Sequence, residues 1–451
     1  MSPRKKPSGG TRETKMLKIG LATLGCKVNQ CDSAALSENL KSAGFSLVPF
    51  NNFADAYIIN TCTVTAFADF QARQLIRRAL RQNPAARIVV TGCYAQTQPL
   101  LLAGMEGVAH VVGNDHKHKI TELLCRPASD TPQIMAGDIL RQQRFPSASA
   151  SGLAGRTRAF FKIQDGCGAF CSYCIVPFAR GPSRSLPFRE VLEGARNFID
   201  QGFREIVLTG IHLGDYGHDL QPRTGLVRAL EVLLSNHPET RFRLSSIEPN
   251  EISDELLGLF KRFVNLCPHL HIPLQSGDDS ILKSMKRGYD TAFYRLLIEN
   301  IAQTAADIAV GIDVMVGFPG EGEKEFCRTM ELLEKIPAAY LHVFPYSERP
   351  GTAAVELQPK VPTMVKKERA AAVRALGAKK REAFSRRFLG SVLPVLVEKT
   401  RDKHTGLAKG FSHNYLPVLL DKSAVSLVNN LVNVRIDQIL DGKLIGRVLD
   451  E

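Results

Sequence analysis

The chain has 451 residues, 44% of them hydrophobic and 23% charged, with a formal net charge of +13. That composition belongs to a globular chain long enough for about three domains, and it excludes a largely disordered one. No apolar run approaches the roughly 18 residues of a bilayer-spanning helix, so no integral membrane protein is expected, and the positive balance makes an anionic partner the first to consider.

Residues 1–15 read as a basic, solvated tail that leads into no apolar stretch, so it is not a secretory signal. The ten cysteines are then expected in the reducing cytoplasm, where metal or redox chemistry suits them better than disulfides. Residues 16–125 alternate β-branched runs at 17–24, 56–60 and 87–91 with helical patterns at 32–43, 66–82 and after 96. This is the signature of a parallel α/β sheet, whose ligands gather at the carboxyl ends of the strands. Residues 126–157, rich in Pro, Ser, Ala and Gly, read as a linker.

From 158 the alternation resumes and repeats six times, with strands at 159–164, 205–209, 241–245, 269–274, 309–316 and 338–344. Each runs into a polar loop, and all but the third carry glycine. Six βα units predict a partial barrel, open on one side, with its site at the C-terminal face and room for a large substrate. A basic helical pattern at 363–389 closes this unit, which spans 158–387. Short β-rich runs at 392–398, 415–420, 431–436 and 443–449 predict a small all-β barrel over 388–451. The positive excess falls at the two ends: residues 1–20 hold six Lys or Arg and one acid, and residues 360–410 hold fourteen and four. A near-neutral body with basic ends suits a catalytic core with an appendage that grips a polyanion; the run 366–387 is either a solvated face or a phosphate contact.

Cys167, Cys171 and Cys174 form Cys-x3-Cys-x2-Cys in the loop after the first barrel strand. Three thiolates this close can wrap one face of a [4Fe-4S] cube, and with no fourth cysteine nearby one iron is left open to a substrate or cofactor. A structural zinc site would want a closed set of four ligands. Cys26, Cys62 and Cys93 lie 36 and 31 residues apart, yet each stands at the carboxyl end of a predicted parallel strand. Neighbouring strand ends are about 4.8 Å apart, so the three thiols can converge; three unrelated buried cysteines are the alternative. Cys31, Cys125, Cys267 and Cys327 fit neither set and read as structural. His212 and His342 read as polar groups at the site mouth rather than ligands.

The Cys-x3-Cys-x2-Cys motif, with Tyr173 before its third cysteine, resembles the radical S-adenosylmethionine superfamily. The resemblance implies an open iron that chelates S-adenosyl-L-methionine and reductive cleavage to a 5′-deoxyadenosyl radical. It places Tyr173 near the adenine and makes Gly210, Glu248, Gln275 and Gly317 candidate cofactor contacts. The two triads together resemble the methylthiotransferase family from residue 18 to the end, and Gly410-Phe-Ser-His-Asn-Tyr-Leu-Pro-Val418 resembles the RNA-binding TRAM module. Gly25-Cys-Lys-Val-Asn-Gln, Leu244-Ser-Ser-Ile-Glu-Pro and His342-Val-Phe-Pro-Tyr-Ser look like the MtaB-type branch, which acts on N6-threonylcarbamoyladenosine in tRNA.

That resemblance implies two [4Fe-4S] clusters with divided labour. The one on Cys167, Cys171 and Cys174 would make the radical, and the one on Cys26, Cys62 and Cys93 would hold or supply the sulfur, methylated by a second S-adenosyl-L-methionine. A TRAM-like domain with its basic flank would present the tRNA anticodon stem-loop, and a low-potential reductant protein would feed electrons. The fold class expected is an N-terminal parallel-sheet α/β domain, a central radical SAM partial (βα)6 barrel and a C-terminal small β-barrel. Methylthiolation of N6-isopentenyladenosine or of a ribosomal-protein Asp is an alternative within the class. An RNA-binding iron–sulfur electron carrier is one outside it, although a carrier needs no vacant iron.

Overall fold

The computed structural model describes residues 16–127, 129, 131–146, 156–440 and 442–449; the tail expected at 1–15 and residues 147–155 of the expected linker lie outside the described residues. The first sheet is built from β1 (Lys18–Thr23), β2 (Ser46–Val48), β3 (Ala56–Thr61), β4 (Arg87–Gly92), β5 (Val108–Val112) and β6 (Gln133–Met135), all parallel in the order β2-β1-β3-β4-β5-β6. β3 is buried at every position, as a strand covered on both faces must be. Its alternate residues divide between two cores. Tyr57 and Ile59 pack with Ala72, Ile76 and Ala79 of the Ala66–Gln82 helix, while Ala56 and Ile58 pack with Leu36 and Leu40 of the Lys27–Ser42 helix.

Three of these strands escape the sequence pattern. β2 is too short to show alternation, β5 follows two five-residue helices, and β6 lies inside the Pro- and Ser-rich stretch read as a linker but pairs with β5 at the sheet edge. The first helix also begins five residues earlier than expected, at Lys27.

The central unit contains β7 (Ala159–Lys162), a two-residue ribbon of β8 (Gln164–Asp165) and β9 (Arg184–Ser185), then β10 (Glu205–Thr209), β11 (Arg241–Leu244), β12 (His269–Gln275), β13 (Ala309–Val316) and β14 (Tyr340–Pro345). They form two parallel three-stranded sheets, β7-β10-β11 and β12-β13-β14, bridged at Phe242–Leu266 and Ser246–His271. Among the described residues no strand pairing joins β7 to β14, so the six-stranded barrel is open on that side. Outward-facing Phe161, Ile206, Leu208, Leu244, Ile272 and Val314 form the main core under the helices. The alternate positions, Lys162, Glu205, Arg243, His271, Asp313 and His342, line a polar interior.

The Thr363–Arg386 helix joins this core to the next one, because its Ala370 and Val373 pack on the partial barrel and its Phe384 on the last domain. That domain is a closed barrel of β15 (Val392–Val397), β16 (Ala408–Ser412), β17 (Pro417–Leu420), β18 (Leu431–Leu440) and β19 (Lys443–Val448). β16 was not expected. The run read as beginning at 415 starts at Pro417 instead, because Tyr415 (φ +69°) sits in the turn between β16 and β17. No helix among the described residues is long and apolar enough to cross a membrane.

Candidate functional site

Cys26, Cys62 and Cys93 stand just beyond the carboxyl ends of β1, β3 and β4, which are hydrogen-bonded neighbours. Gly25 (φ +93°) lets the chain pass directly over Cys62: a Cβ there would lie 2.9 Å from the Cys62 Sγ. Burial, followed by the neighbouring Cys93 and Cys26, pushes the Cys62 thiol up to about 12, so Cys62 is within electrostatic reach of both other cysteines. Cys62 and Cys93 are buried and Cys26 is exposed, which leaves the triad open on one side. The Asn114 side-chain amide lies 3.7 Å from the Cys93 Sγ.

The second triad occupies the loop after β8. Gly166 (φ +79°) starts it, where a Cβ would lie 1.9 Å from the Pro182 carbonyl oxygen. His212 Nδ1 is 3.5 Å from the Cys167 Sγ, and its Nε2 is 2.6 Å from Glu251. Burial would lower the His212 pKa, but these two contacts outweigh it and raise it to about 11. Arg287 donates to the Cys171 Sγ at 3.3 Å and pairs with Glu248. Burial chiefly pushes the Cys174 thiol up to about 12.

The five residues expected to contact the cofactor stand at or beyond carboxyl strand ends, but they are tied to this triad unequally. Glu248 reaches Cys171 through Arg287, and Tyr173 packs edge-on against Phe318, with ring centroids 6.4 Å apart. Gly210 lies against the Gln164 side chain, which accepts the His212 backbone N–H at 2.8 Å. Gln275 ends β12 with φ +68°, whereas Gly317 lies against the Lys366 stem and donates to Glu321 at 2.8 Å. The structure shows no contact of Gln275 or Gly317 with the thiols.

All ten cysteines are free thiols. Among the described residues, the ligand atoms of His271, Asp313 and His342 lie within 4.8 Å of one another, as a single ion requires, and neither cysteine triad is so tight. The wider spacing, the donors Arg287 and His212 beside the second triad and Asn114 beside the first fit an anionic iron–sulfur cube better than one ion. Of the other cysteines, Cys31 donates to the Phe160 carbonyl at 3.3 Å and Cys267 is buried, while Cys125 and Cys327 are exposed.

A buried ion network fixes the first domain to the barrel. Asp32 accepts from Lys162 at 2.6 Å, Lys117 at 2.7 Å and Arg180 at 3.0 Å, and Asp165 accepts from Arg180 at 2.8 Å and Lys162 at 3.1 Å. Burial works to raise the Asp32 pKa, but Lys117, Lys162 and Arg180 overcome it and hold the carboxyl well below its usual range. Asn114, beside Cys93, donates to the Ala179 carbonyl at 2.7 Å, and Arg180 is within electrostatic reach of Cys93 and Cys26. The Cys31 contact lays the Lys27–Ser42 helix along β7, so the first domain covers the barrel's open side.

The last domain closes the amino-terminal end of the strands. Arg241 and Arg243, both held by the fully buried Glu205, donate to the carbonyls of Phe411, Ser412 and His413. Arg158 pairs with Glu398 at 2.9 Å, and the Tyr415 ring lies 4.9 Å from the Arg243 guanidinium and 4.6 Å from the His269 ring. The 410–418 stretch that resembles the TRAM module therefore docks on the barrel. Asp32, Arg180 and Arg287 were not found in the sequence, because lone charges on helices and loops carry no spacing signal.

Residues 18–113 match the Uncharacterized protein family UPF0004, and residues 161–333 match the Radical SAM superfamily. The threonylcarbamoyladenosine tRNA methylthiotransferase MtaB of Bacillus subtilis is 37% identical over 93% of this chain and 94% of its own length. Its Aquifex aeolicus counterpart is 38% identical over 84% and 93%. The chain belongs to the MtaB-type family of radical SAM tRNA methylthiotransferases. As a member it is an enzyme, a transferase that modifies tRNA. The fold is also that of the radical S-adenosylmethionine methyltransferase TsrM from Kitasatospora setae, solved with cobalamin and a [4Fe-4S] cluster bound. The TM-score is 0.53 at 16% identity, covering 75% of this chain and 77% of that one, and at that identity the likeness concerns the fold alone.

Proposed function

We propose that this chain adds a 2-methylthio group to N6-threonylcarbamoyladenosine beside the tRNA anticodon, with Cys167, Cys171 and Cys174 holding one [4Fe-4S] cluster and Cys26, Cys62 and Cys93 a second. The observation that carries this reading is the pairing of two thiol triads, each at the carboxyl end of a parallel sheet, in domains locked together by the Asp32, Asp165 and Arg180 network. Adenine C2–H is neither acidic nor electrophilic, so acid–base side chains alone cannot replace it. When bound, the clusters and S-adenosyl-L-methionine would supply the electron, the radical, the sulfur and, from a second S-adenosyl-L-methionine, its methyl group.

The chain supplies position. Arg287, shared between Cys171 and Glu248, offers a cation at the cofactor's expected place, and Tyr173 with Phe318 gives it an aromatic wall. Gly210, Gln275 and Gly317 complete the set of cofactor contacts at the ends of β10, β12 and β13. Exposed Lys367, Arg374, Lys379, Arg386 and Arg387, along the Thr363–Arg386 helix and at its end, offer cations that suit the phosphates of an anticodon stem-loop. The target base is then presented unstacked, as single-stranded loops allow. A low-potential reductant protein is the electron source, and a tRNA substrate with thiolate-held clusters supports a reaction in the reducing cytoplasm.

The test is mass spectrometry of tRNA nucleosides from a strain lacking the gene. The 2-methylthio group should vanish from threonylcarbamoyladenosine and stay on isopentenyladenosine; the opposite pattern would refute the assignment.

A further inference from the structure

We propose that His271, Asp313 and His342 hold one divalent transition-metal ion inside the partial barrel, at a site separate from both cysteine triads. His342, read from the sequence as a polar group rather than a ligand, becomes one here.

The three residues stand on β12, β13 and β14, which are hydrogen-bonded neighbours, and their side chains meet on the interior face. Asp313 is in register with His342, and His271 and His342 lie two residues nearer the carboxyl strand ends than His269 and Tyr340. The site therefore sits one layer above the floor that the small barrel closes. It is open to solvent, because the His342 side chain is 49% exposed. The opening continues toward the carboxyl ends at Phe344, the next β14 residue on the same face, which is 44% exposed.

The geometry favours a shared ion over a set of ion pairs. The ligand atoms of all three residues lie within 4.8 Å of one another, with His271 Nε2 at 2.8 Å and His342 Nδ1 at 3.5 Å from Asp313 Oδ1. Two donors about 2.1 Å from one ion stand roughly 3.0–3.4 Å apart at octahedral or tetrahedral angles, so both separations suit it. Asp313 Oδ1 is shut off from water, yet neither nitrogen makes a hydrogen bond to it. A buried carboxylate oxygen left without a hydrogen bond between two imidazoles calls for a cation. The outer support of a metal-binding histidine is present as well. His271 Nδ1 meets Tyr340 Oη at 3.2 Å, and that hydroxyl is held in turn by His269 Nε2 at 2.7 Å, which leaves His271 Nε2 as the ligating nitrogen. Two imidazoles and one carboxylate suit a first-row ion such as manganese, iron, cobalt or zinc, and three protein ligands leave positions for water or for oxygen donors of a molecule in the barrel.

Manganese(II) is the probe, since it prefers oxygen and nitrogen ligands to thiolates, and the protein carries reconstituted clusters so that both triads are occupied. Binding is followed by electron paramagnetic resonance of the free ion, and the bound ion is examined for spin-echo modulation from coordinated imidazole nitrogen. The wild type should take up one manganese per chain with that nitrogen signature. Asp313→Asn and His342→Gln, at the wild type's iron content, should each bind about a hundredfold more weakly or worse and lose the signature, and Tyr340→Phe should weaken binding about tenfold. His342→Gln, half exposed on an edge strand, keeps the test decisive if Asp313→Asn fails to fold. The absence of a saturable site, binding without the nitrogen signature, or binding unchanged in His342→Gln would each overturn the proposal.

Discussion

The Arg180 guanidinium, 2% exposed, lies between Asp165, Asp32 and Asn29 and joins a barrel loop to a helix 148 residues away in the chain. Three cations and two carboxylates meet there out of water, and removing one member leaves the others underpaired. Arg180→Met should destabilise the cluster-free chain by about 3–5 kcal/mol in urea unfolding, the range for breaking a buried pair; a loss below about 1 kcal/mol would mean that water already screens the network. The same residue shows what a sequence hides. The motif around Cys167 is legible because its three thiols share one loop. The convergence of Cys26, Cys62 and Cys93 is legible only by way of the parallel sheet, whose order makes three strand ends neighbours. Arg180, Asp32 and Arg287 have partners distant in sequence and no periodicity, so only the folded chain reveals them.

At the scale of elements, β10 and β11 hold the last domain in place. Glu205 pairs with Arg243 and Arg241, whose remaining donors take the carbonyls of Phe411 and Ser412 at the end of β16 and of His413 just after it. Burial opposes the charge on Glu205, but the two guanidiniums prevail and keep its carboxyl below the usual range. A carboxylate with a depressed folded pKa adds stability that is complete above its unfolded value of about 4.3 and is lost as the pH falls from there toward the folded one. The stability gap between the cluster-free wild type and Glu205→Gln should therefore be full at pH 7 and shrink below about pH 4.3. A gap that grows on acidification would contradict the pairing. The elements missed in the sequence share a physical reason: β2 and β6 have three residues each, and β16 carries Lys409, Gly410 and Ser412 in place of an apolar alternation. Tertiary pairing, not local propensity, makes them strands.

Across the whole molecule, the charge balance acquires a location. Six interior cations, Lys117, Lys162, Arg180, Arg158, Arg241 and Arg243, are held by four carboxylates, Asp32, Asp165, Glu205 and Glu398, while the Thr363–Arg386 helix keeps exposed cations on the outside. Three units seal one another: the first sheet covers the open side of the partial barrel, and the small barrel closes the amino-terminal ends of its strands. The carboxyl ends, where both cysteine triads lie, are left for cofactor and RNA. The account stands on two clusters in one chain, and iron analysis after anaerobic reconstitution tests it most directly. The wild type should hold about eight irons per chain, and the chain with Cys26→Ala, Cys62→Ala and Cys93→Ala about four; about four in both would contradict it.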